Sequence, residues 1–583
     1  MPDQDSERGK PTSIGPEEPR MEWRLLLAFL LTGVVMFLAP YIYHKLYGPP
    51  PQQAPSARKA EPGPAQPAKE APEAAQPAKA ALPAGPVTAA KPEEFTLETD
   101  LYRVQFSNRG AVVLRWELKK YKDAAGKPLE LVNTAAAPQV GYPFALEFKD
   151  RKPPVDPNQA LFVTRPAPDG LGVEYEFSDG RLWVRKSFRF EKSSYLWRLI
   201  SEAADNSGGL PHRLLWRAGF GDPAVVNPAA HQRALHYDPT TGKLVTQEAK
   251  AAKNEPVLAS GPFTFAGIQD TYFAAVFLPR SGSTIELEVL SDSVRSELDP
   301  AEALHVGVGV GGAARNEFAV FVGPKDLDVL RQVDPRLEQL VDFGTWFGFI
   351  AKPLFLILKW VYHNVTPNYG WAIVLLTVFI NFALLPLKLS SLKSMKKMQA
   401  LQPQIAAINE KYKGVSLRDP RKQQQNQEIM ELYRKHGVNP MGGCLPMLLQ
   451  IPFFIGFYNV LTVAIELRGA TWLWVKDLSQ PEHLPIRILP LAMVVSQFVM
   501  QKMTPSTAMD PRQQRMLLLM PLVFGFMFYH FSSGLVLYWL TSNLVGIAQQ
   551  VLFNKLTAAP AAAPVPVAKA APGETRRRRK AAR

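Results

Sequence analysis

Six membrane-spanning helices joined to a large exported all-β domain is the fold class that this 583-residue sequence predicts. Three observations carry that reading. Apolar residues concentrate in 25–43 and again from 343 onward, in runs close to the roughly 20 residues that cross a hydrocarbon core of about 30 Å. Between these runs, residues 94–322 alternate apolar and polar with period two, as half-buried strands do. Lys and Arg gather in two places that fall on one side of the membrane when six spans are drawn. The formal charge of +14 therefore reads as that of a sided membrane protein, and no DNA partner is predicted. A single cysteine, Cys444, excludes an internal disulfide framework and a Cys-based zinc site. It reads as a small apolar residue at the entrance of a span.

Taken in order, residues 1–24 are polar and are assigned to a cytoplasmic N-terminus, and 25–43 form the first span. That run could be a cleaved signal peptide or an anchor; its length and the lack of a prompt A-x-A site predict the anchor. Residues 44–93 are rich in Pro and Ala, with repeated QPAK, and have no apolar face to bury, so they read as a linker. Residues 94–323 are assigned to a periplasmic β-sandwich. FTLETDLYRVQF reads as one run, then a turn at 107–110, then AVVLRWELKKY, and a second hairpin turns at 178–180. Its histidines, among them His212, His231, His236 and His305, have no metal-ligand spacing and read as surface or core residues.

Residues 324–368 are expected to hold a short helical connector and a helix lying in the interface. In 343–362 the polar positions Thr345, Gly348, Lys352 and Lys359 form a stripe, and Trp346 and Trp360 suit the headgroup level. The remaining spans are placed at 369–387, 444–463, 486–502, 516–531 and 535–553. The loop 388–438 carries Lys393, Lys396, Lys397, Lys411, Lys413, Arg421 and Lys422 among its basic residues and patterns as a helical hairpin broken near 414–420, with Pro403 restarting its first arm. It suits a solvated face, or docking to anionic lipids or a ribosome. The tail 556–583 is basic. If 343–362 does not cross, positive-inside bias puts loop, tail and both termini in the cytoplasm.

The stretch 437–466 organises the rest. Its loop feeds a span with Pro446 and Pro452 near the start, Gln450 between them and Gly456 beside Phe454 and Phe457. An amide left unpartnered in hydrocarbon costs on the order of 4 to 8 kcal/mol, so Gln450 must face protein or water. Asn381, Gln497 and Gln549 lie at a similar depth near the cytoplasmic ends of their spans, and Thr541, Ser542 and Asn543 lie nearer the middle. Helix pairing through these groups is one reading. A water-accessible groove that stops halfway across is the other. Two spans look short, at 16 residues or about 24 Å, which a locally thinned bilayer would match.

Residues 439–446, NPMGGCLP, with Gln450, Pro452 and Tyr458, closely resemble the signature of the YidC insertases and their Oxa relatives. Gln501-Lys502-Met503, Asp510-Pro511, Met520-Pro521, Ser533-Gly534-Leu535 and Ser542-Asn543-Leu544 are similar too. The resemblance covers roughly 325–555, and the exported domain of Gram-negative-type members would cover 94–323. It implies a non-enzymatic insertase and chaperone of the inner membrane that needs no cofactor. Such a protein receives nascent or newly made membrane proteins, alone or beside the Sec translocon, and its sandwich resembles a galactose-mutarotase supersandwich. It also implies a lipid-facing slide, here Ile451, Pro452, Phe454, Phe526 and Phe528. The family usually places an arginine or lysine in the groove, where this chain has Asn381, with Lys388 near the interface. Hydration more than charge is therefore expected to matter. Two rivals from other classes are a polar-solute transporter and a membrane-tethered carbohydrate-active enzyme.

Overall fold

The computed structural model describes residues 85–557 except 124, 150, 223–227, 281, 295–302, 345, 416–418, 439–444 and 504–520, and gives 445–449 as backbone alone. The expected anchor 25–43, most of the linker, the loop 439–444, the first part of the span at 516–531 and the basic tail lie outside those residues. Among the described residues, nineteen strands make three antiparallel sheets of four, ten and five strands. The ten-stranded sheet has Arg315–Pro324 beside Leu196–Asp205, then Leu182–Arg189 and Gly172–Ser178. The five-stranded sheet is centred on Ala303–Ala313. Val306, Val308 and Val310 of the smaller sheet share one buried core with Phe265, Phe277 and Phe318 of the larger. Stacking reinforces it: Trp197 lies 4.8 Å from Phe190 and 5.6 Å from both Phe144 and Trp116, in contacts worth about 0.5–1.5 kcal/mol each. The chain is thus an all-β sandwich followed by a helical region, in agreement with these two parts of the predicted class.

Two details depart from the sequence reading. FTLETDLYRVQF is not one run but two paired strands, Glu94–Glu98 and Tyr102–Ser107. The Thr99 hydroxyl accepts from the backbone N–H groups of Leu101 and Tyr102 at 3.2 and 3.1 Å and so stabilises a turn, a local side-chain bond that competes with the extended ladder. The second detail lies in Leu182–Arg189, where alternation buries Leu182, Val184, Lys186 and Phe188 on one face. Lys186 is fully buried, and its Nζ donates to the carbonyls of Gly110, Ala111 and Phe144 at 2.7, 3.1 and 2.7 Å. All three carbonyls come from residues with positive φ, two of them not glycine. Burial pulls the Lys186 amine down to about 7.

The helical region comprises α1 (Gly348–Asn364), α2 (Tyr369–Ala383), α3 (Leu385–Ala400), α4 (Gln402–Lys411), α5 (Pro420–Lys435), α6 (Leu445–Val463), α7 (Ile488–Met503) and α8 (Ser533–Leu556). A further helical segment covers 521–528. Among the described residues α8 is the one helix long and apolar enough to cross a membrane unaided. The α2–α3 pair passes the same test as a span bent by 58°, and 450–463 and α7 are shorter apolar helices.

A connector ties the sandwich to these helices. Asp326 caps Leu327–Val333 and Asp334 caps Pro335–Leu340 by accepting first-turn N–H groups. Lys352 and Lys359, the polar stripe of α1, are used here. Lys352 pairs with Glu338 at 2.8 Å, and Lys359 with Asp328 at 2.7 Å and Glu466 at 3.2 Å. Between α6 and α7, Arg468 donates from Nε at 2.8 Å and from its terminal nitrogen at 2.5 Å to Asp222 of the sandwich, with both side chains buried. The N–H of Asp222 is held in turn by Asp270 at 2.7 Å, whose carboxyl burial raises to about 6.

Candidate functional site

The site is set by a break in the chain. Helix α2 starts at Asn368, whose side chain accepts from the Trp371 N–H at 3.1 Å, and ends at Leu384. Pro386 falls in the first turn of α3, where its missing N–H costs nothing, but its ring disfavours an unbroken helix through 385. The resulting bend brings Lys388 back against the end of α2. Its Nζ lies 2.5 Å from Asn381 Oδ1 and 3.5 Å from Gln549 Oε1.

Three of the expected amides meet there. Asn381 is buried and donates to the Thr377 carbonyl at 2.8 Å and to Ser542 Oγ at 3.4 Å. Gln450 Nε2 donates to the same hydroxyl at 2.9 Å, and Gln549 Nε2 to the Asn381 carbonyl at 3.3 Å. Asn381 and Ser542 are covered, whereas Lys388, Gln450 and Gln549 are half-buried. The other polar residues face α7. Gln497 Oε1 accepts from Trp539 Nε1 at 3.3 Å, and Asn543 Nδ2 donates to Ser496 Oγ at 3.0 Å. Thr541 is buried on α8. The polar residues therefore form two groups, not one ring. None of α2, α3, α6, α7 or α8 contains Asp or Glu, so among the described residues of these helices Lys388 lies among neutral amides and hydroxyls.

Lys388 corrects the sequence reading, which left it at the interface and the groove without a charge. The signal was Pro386, two residues earlier. Had the helix run straight, Lys388 would lie about two turns beyond Asn381, near 10 Å along the axis.

The five slide residues do not share a surface. Phe526 is 80% exposed and Ile451 42%, and Pro452 and Phe454 are partly covered, but Phe528 is only 2% exposed. Residues two apart on a helix point to opposite sides, so Phe526 and Phe528 cannot both face outward. Phe528 packs 4.7 Å from Trp539, and Phe454 4.8 Å from the same ring. Leu522, Val523 and Met527 supply the exposed apolar surface beside Phe526.

The helical hairpin encloses its own small core of Met398, Leu401, Ile405, Tyr433 and Val438. Several of its basic residues are already paired: Lys411 with Glu428 at 2.5 Å, Lys413 with Glu410 at 2.8 Å and Arg421 with Asp419 at 2.8 Å. Lys393, Lys396 and Lys397 are exposed on α3, and Lys422 is half-buried. Among the described residues no group of three His, Cys, Asp or Glu is placed to hold a metal ion.

Comparison with known proteins agrees with this architecture. Residues 94–357 match the family model described as the YidC periplasmic domain, and 360–560 match that of the 60Kd inner membrane protein. The membrane protein insertase YidC of Geobacter metallireducens is 37% identical over 560 residues, covering 92% of this chain and 99% of that protein. Among solved structures, an active YidC insertase with its first transmembrane domain resolved aligns at 20% identity and a TM-score of 0.34, covering 80% of this chain and 94% of that one. A galactose mutarotase-like protein from Lactobacillus casei aligns at 10% identity and a TM-score of 0.28, covering 40% and 100%. The two family models together with a relative matched along almost its whole length show that the chain belongs to the YidC family of membrane protein insertases.

Proposed function

We propose that this inner-membrane protein inserts newly made membrane proteins by sheltering their polar segments in the recess around Asn381 and releasing their apolar segments past Phe526 and Ile451. The observation that carries the reading is Lys388 held 2.5 Å from Asn381 Oδ1, facing amides and no carboxylate. A cation solvated by neutral dipoles keeps its attraction for an incoming acidic tail, whereas one in an ion pair does not. Moving a polar tail across bare hydrocarbon is prohibitive; a recess reaching part-way from one side shortens the dry path. The apolar segment then leaves for lipid, gaining about 25 cal/mol for each Å² of apolar surface removed from water.

The charge distribution supports a topology with the hairpin 388–438 and both termini in the cytoplasm and 44–368 in the periplasm. Work beside the Sec translocon and contact with a ribosome through the α3 lysines and the basic tail belong to the same reading. No covalent chemistry is required, and family membership sets aside the transporter and carbohydrate-enzyme readings. Proteoliposomes holding the full chain test it. Lys388→Gln should cut insertion of a substrate with an acidic exported tail about tenfold, equivalent to ~1.4 kcal/mol, and leave a neutral-tailed substrate nearly unchanged, and Lys388→Arg should retain both. Equal loss for both substrates would overturn the role given to the charge.

A further inference from the structure

Beyond the recess, at the hairpin end of the core, α3, α7 and α8 enclose an open cleft of about 320 Å³. Lys396 and Lys502 line it, over a floor that includes Leu392, Met395, Met503 and Phe553. Lys396 Nζ donates to the Thr557 carbonyl just past α8, which steadies the ammonium without neutralising it. Lys502 Nζ lies 4.8 Å from the centre of the Phe498 ring. The three helices that build the cleft carry no carboxylate, so two positive charges share a half-apolar hollow with no acidic counter-charge among the described residues that line it.

An apolar track leads to this hollow. Leu491, Val495 and Val499 are exposed on α7 and recur at the spacing of one helix face, with Lys502 next along it. From Leu491 to Lys502 the rise is about 16 Å, close to the depth of one leaflet. The track thus runs one leaflet deep and ends at a cation.

We infer that this cleft binds one anionic phospholipid of the adjoining leaflet, its phosphate between Lys396 and Lys502 and an acyl chain along Leu491, Val495 and Val499. The chemistry selects an amphiphile. A free anion makes no use of the apolar floor and track, and an acidic polypeptide tail needs polar groups along its length, which that track lacks. The hairpin lysines 411 and 413 make a weaker site because each already holds a glutamate. The inference is independent of the insertion reading, since a lipid seat leaves the recess around Asn381 unoccupied.

Native mass spectrometry of the full chain in neutral detergent, titrated with phosphatidylglycerol or phosphatidylcholine, tests it. Phosphatidylglycerol should be retained over phosphatidylcholine, and Lys396→Gln with Lys502→Gln should weaken that retention about tenfold. The paired Lys→Arg variant, which keeps both charges, should retain it, as should Lys411→Gln with Lys413→Gln. Equal retention of the two lipids, full retention in the double Gln variant, or displacement by inorganic phosphate or a soluble acidic peptide at equal concentration would each overturn the proposal.

Discussion

The two ends of the helical region treat buried charge in opposite ways. At the sandwich end, cations sit in ion pairs: Arg468 with Asp222, and Lys359 between Asp328 and Glu466. At the hairpin end, Lys388 rests on Asn381 and Gln549, and the surrounding helices supply no carboxylate. A neutralised pair locks two elements together and has little left to offer a third charge. A cation held only by amides is positioned yet still available. The first end is built as a clamp; in the proposed function the second is the receiving site.

The contrast predicts that the clamp carries the larger stability effect. Arg468→Ala removes the cation that faces the buried Asp222 carboxylate, which costs about 3–5 kcal/mol, whereas Arg468→Met combined with Asp222→Leu should recover most of it. Thermal unfolding of the purified full chain reads both, and equal behaviour of the single and double variants would mean that the pair clamps nothing. Next comes burial near the slide. Phe528→Ala should destabilise by about 3 kcal/mol through the cavity left beside Trp539, and Phe526→Ala by under about 0.5 kcal/mol, measured in the same way.

A third effect belongs to the sandwich itself. His212 is buried, its Nε2 2.8 Å from Ser201 Oγ and its Nδ1 2.9 Å from the Leu210 carbonyl. Burial, opposed by the Leu210 bond and aided by nearby Lys186, lowers its pKa from 6.5 to about 4. Between those values the unfolded chain binds a proton that the folded chain refuses. Stability therefore falls as pH drops from about 6.5 toward 4, by up to ~1.4 kcal/mol per pH unit. His212→Gln should flatten that slope in unfolding midpoints measured between pH 7 and pH 5. At Lys388 the effect on stability is small. Lys388→Gln should change it by less than about 1 kcal/mol, because no buried counter-ion is orphaned, and its consequence should appear in insertion.

The paired strands at 172–178 and 182–189 follow from alternation and a Ser-Asp-Gly turn, and Pro403 in the first turn of α4 marks the restart of the hairpin arm. Three amides of the recess were legible as polar residues near the same ends of apolar runs. Lys388 was not, because its place depends on the 58° bend, which no periodicity reports. Nor was the split between Phe526 and Phe528, since which side of a short helix turns inward is settled by neighbours such as Trp539.

Composition and pattern were sufficient for an all-β domain followed by apolar helices, and the motifs around 439–446 for the resemblance to the family, because apolar run length, period and short motifs are local properties of a chain in water or lipid. The Arg468–Asp222 clamp joins residues 246 apart, and Lys388, Asn381, Gln450 and Gln549 are drawn from four helices. Such contacts depend on where helices end and how they bend against one another. Long-range packing energy determines that geometry, and it is not written in any single window of sequence.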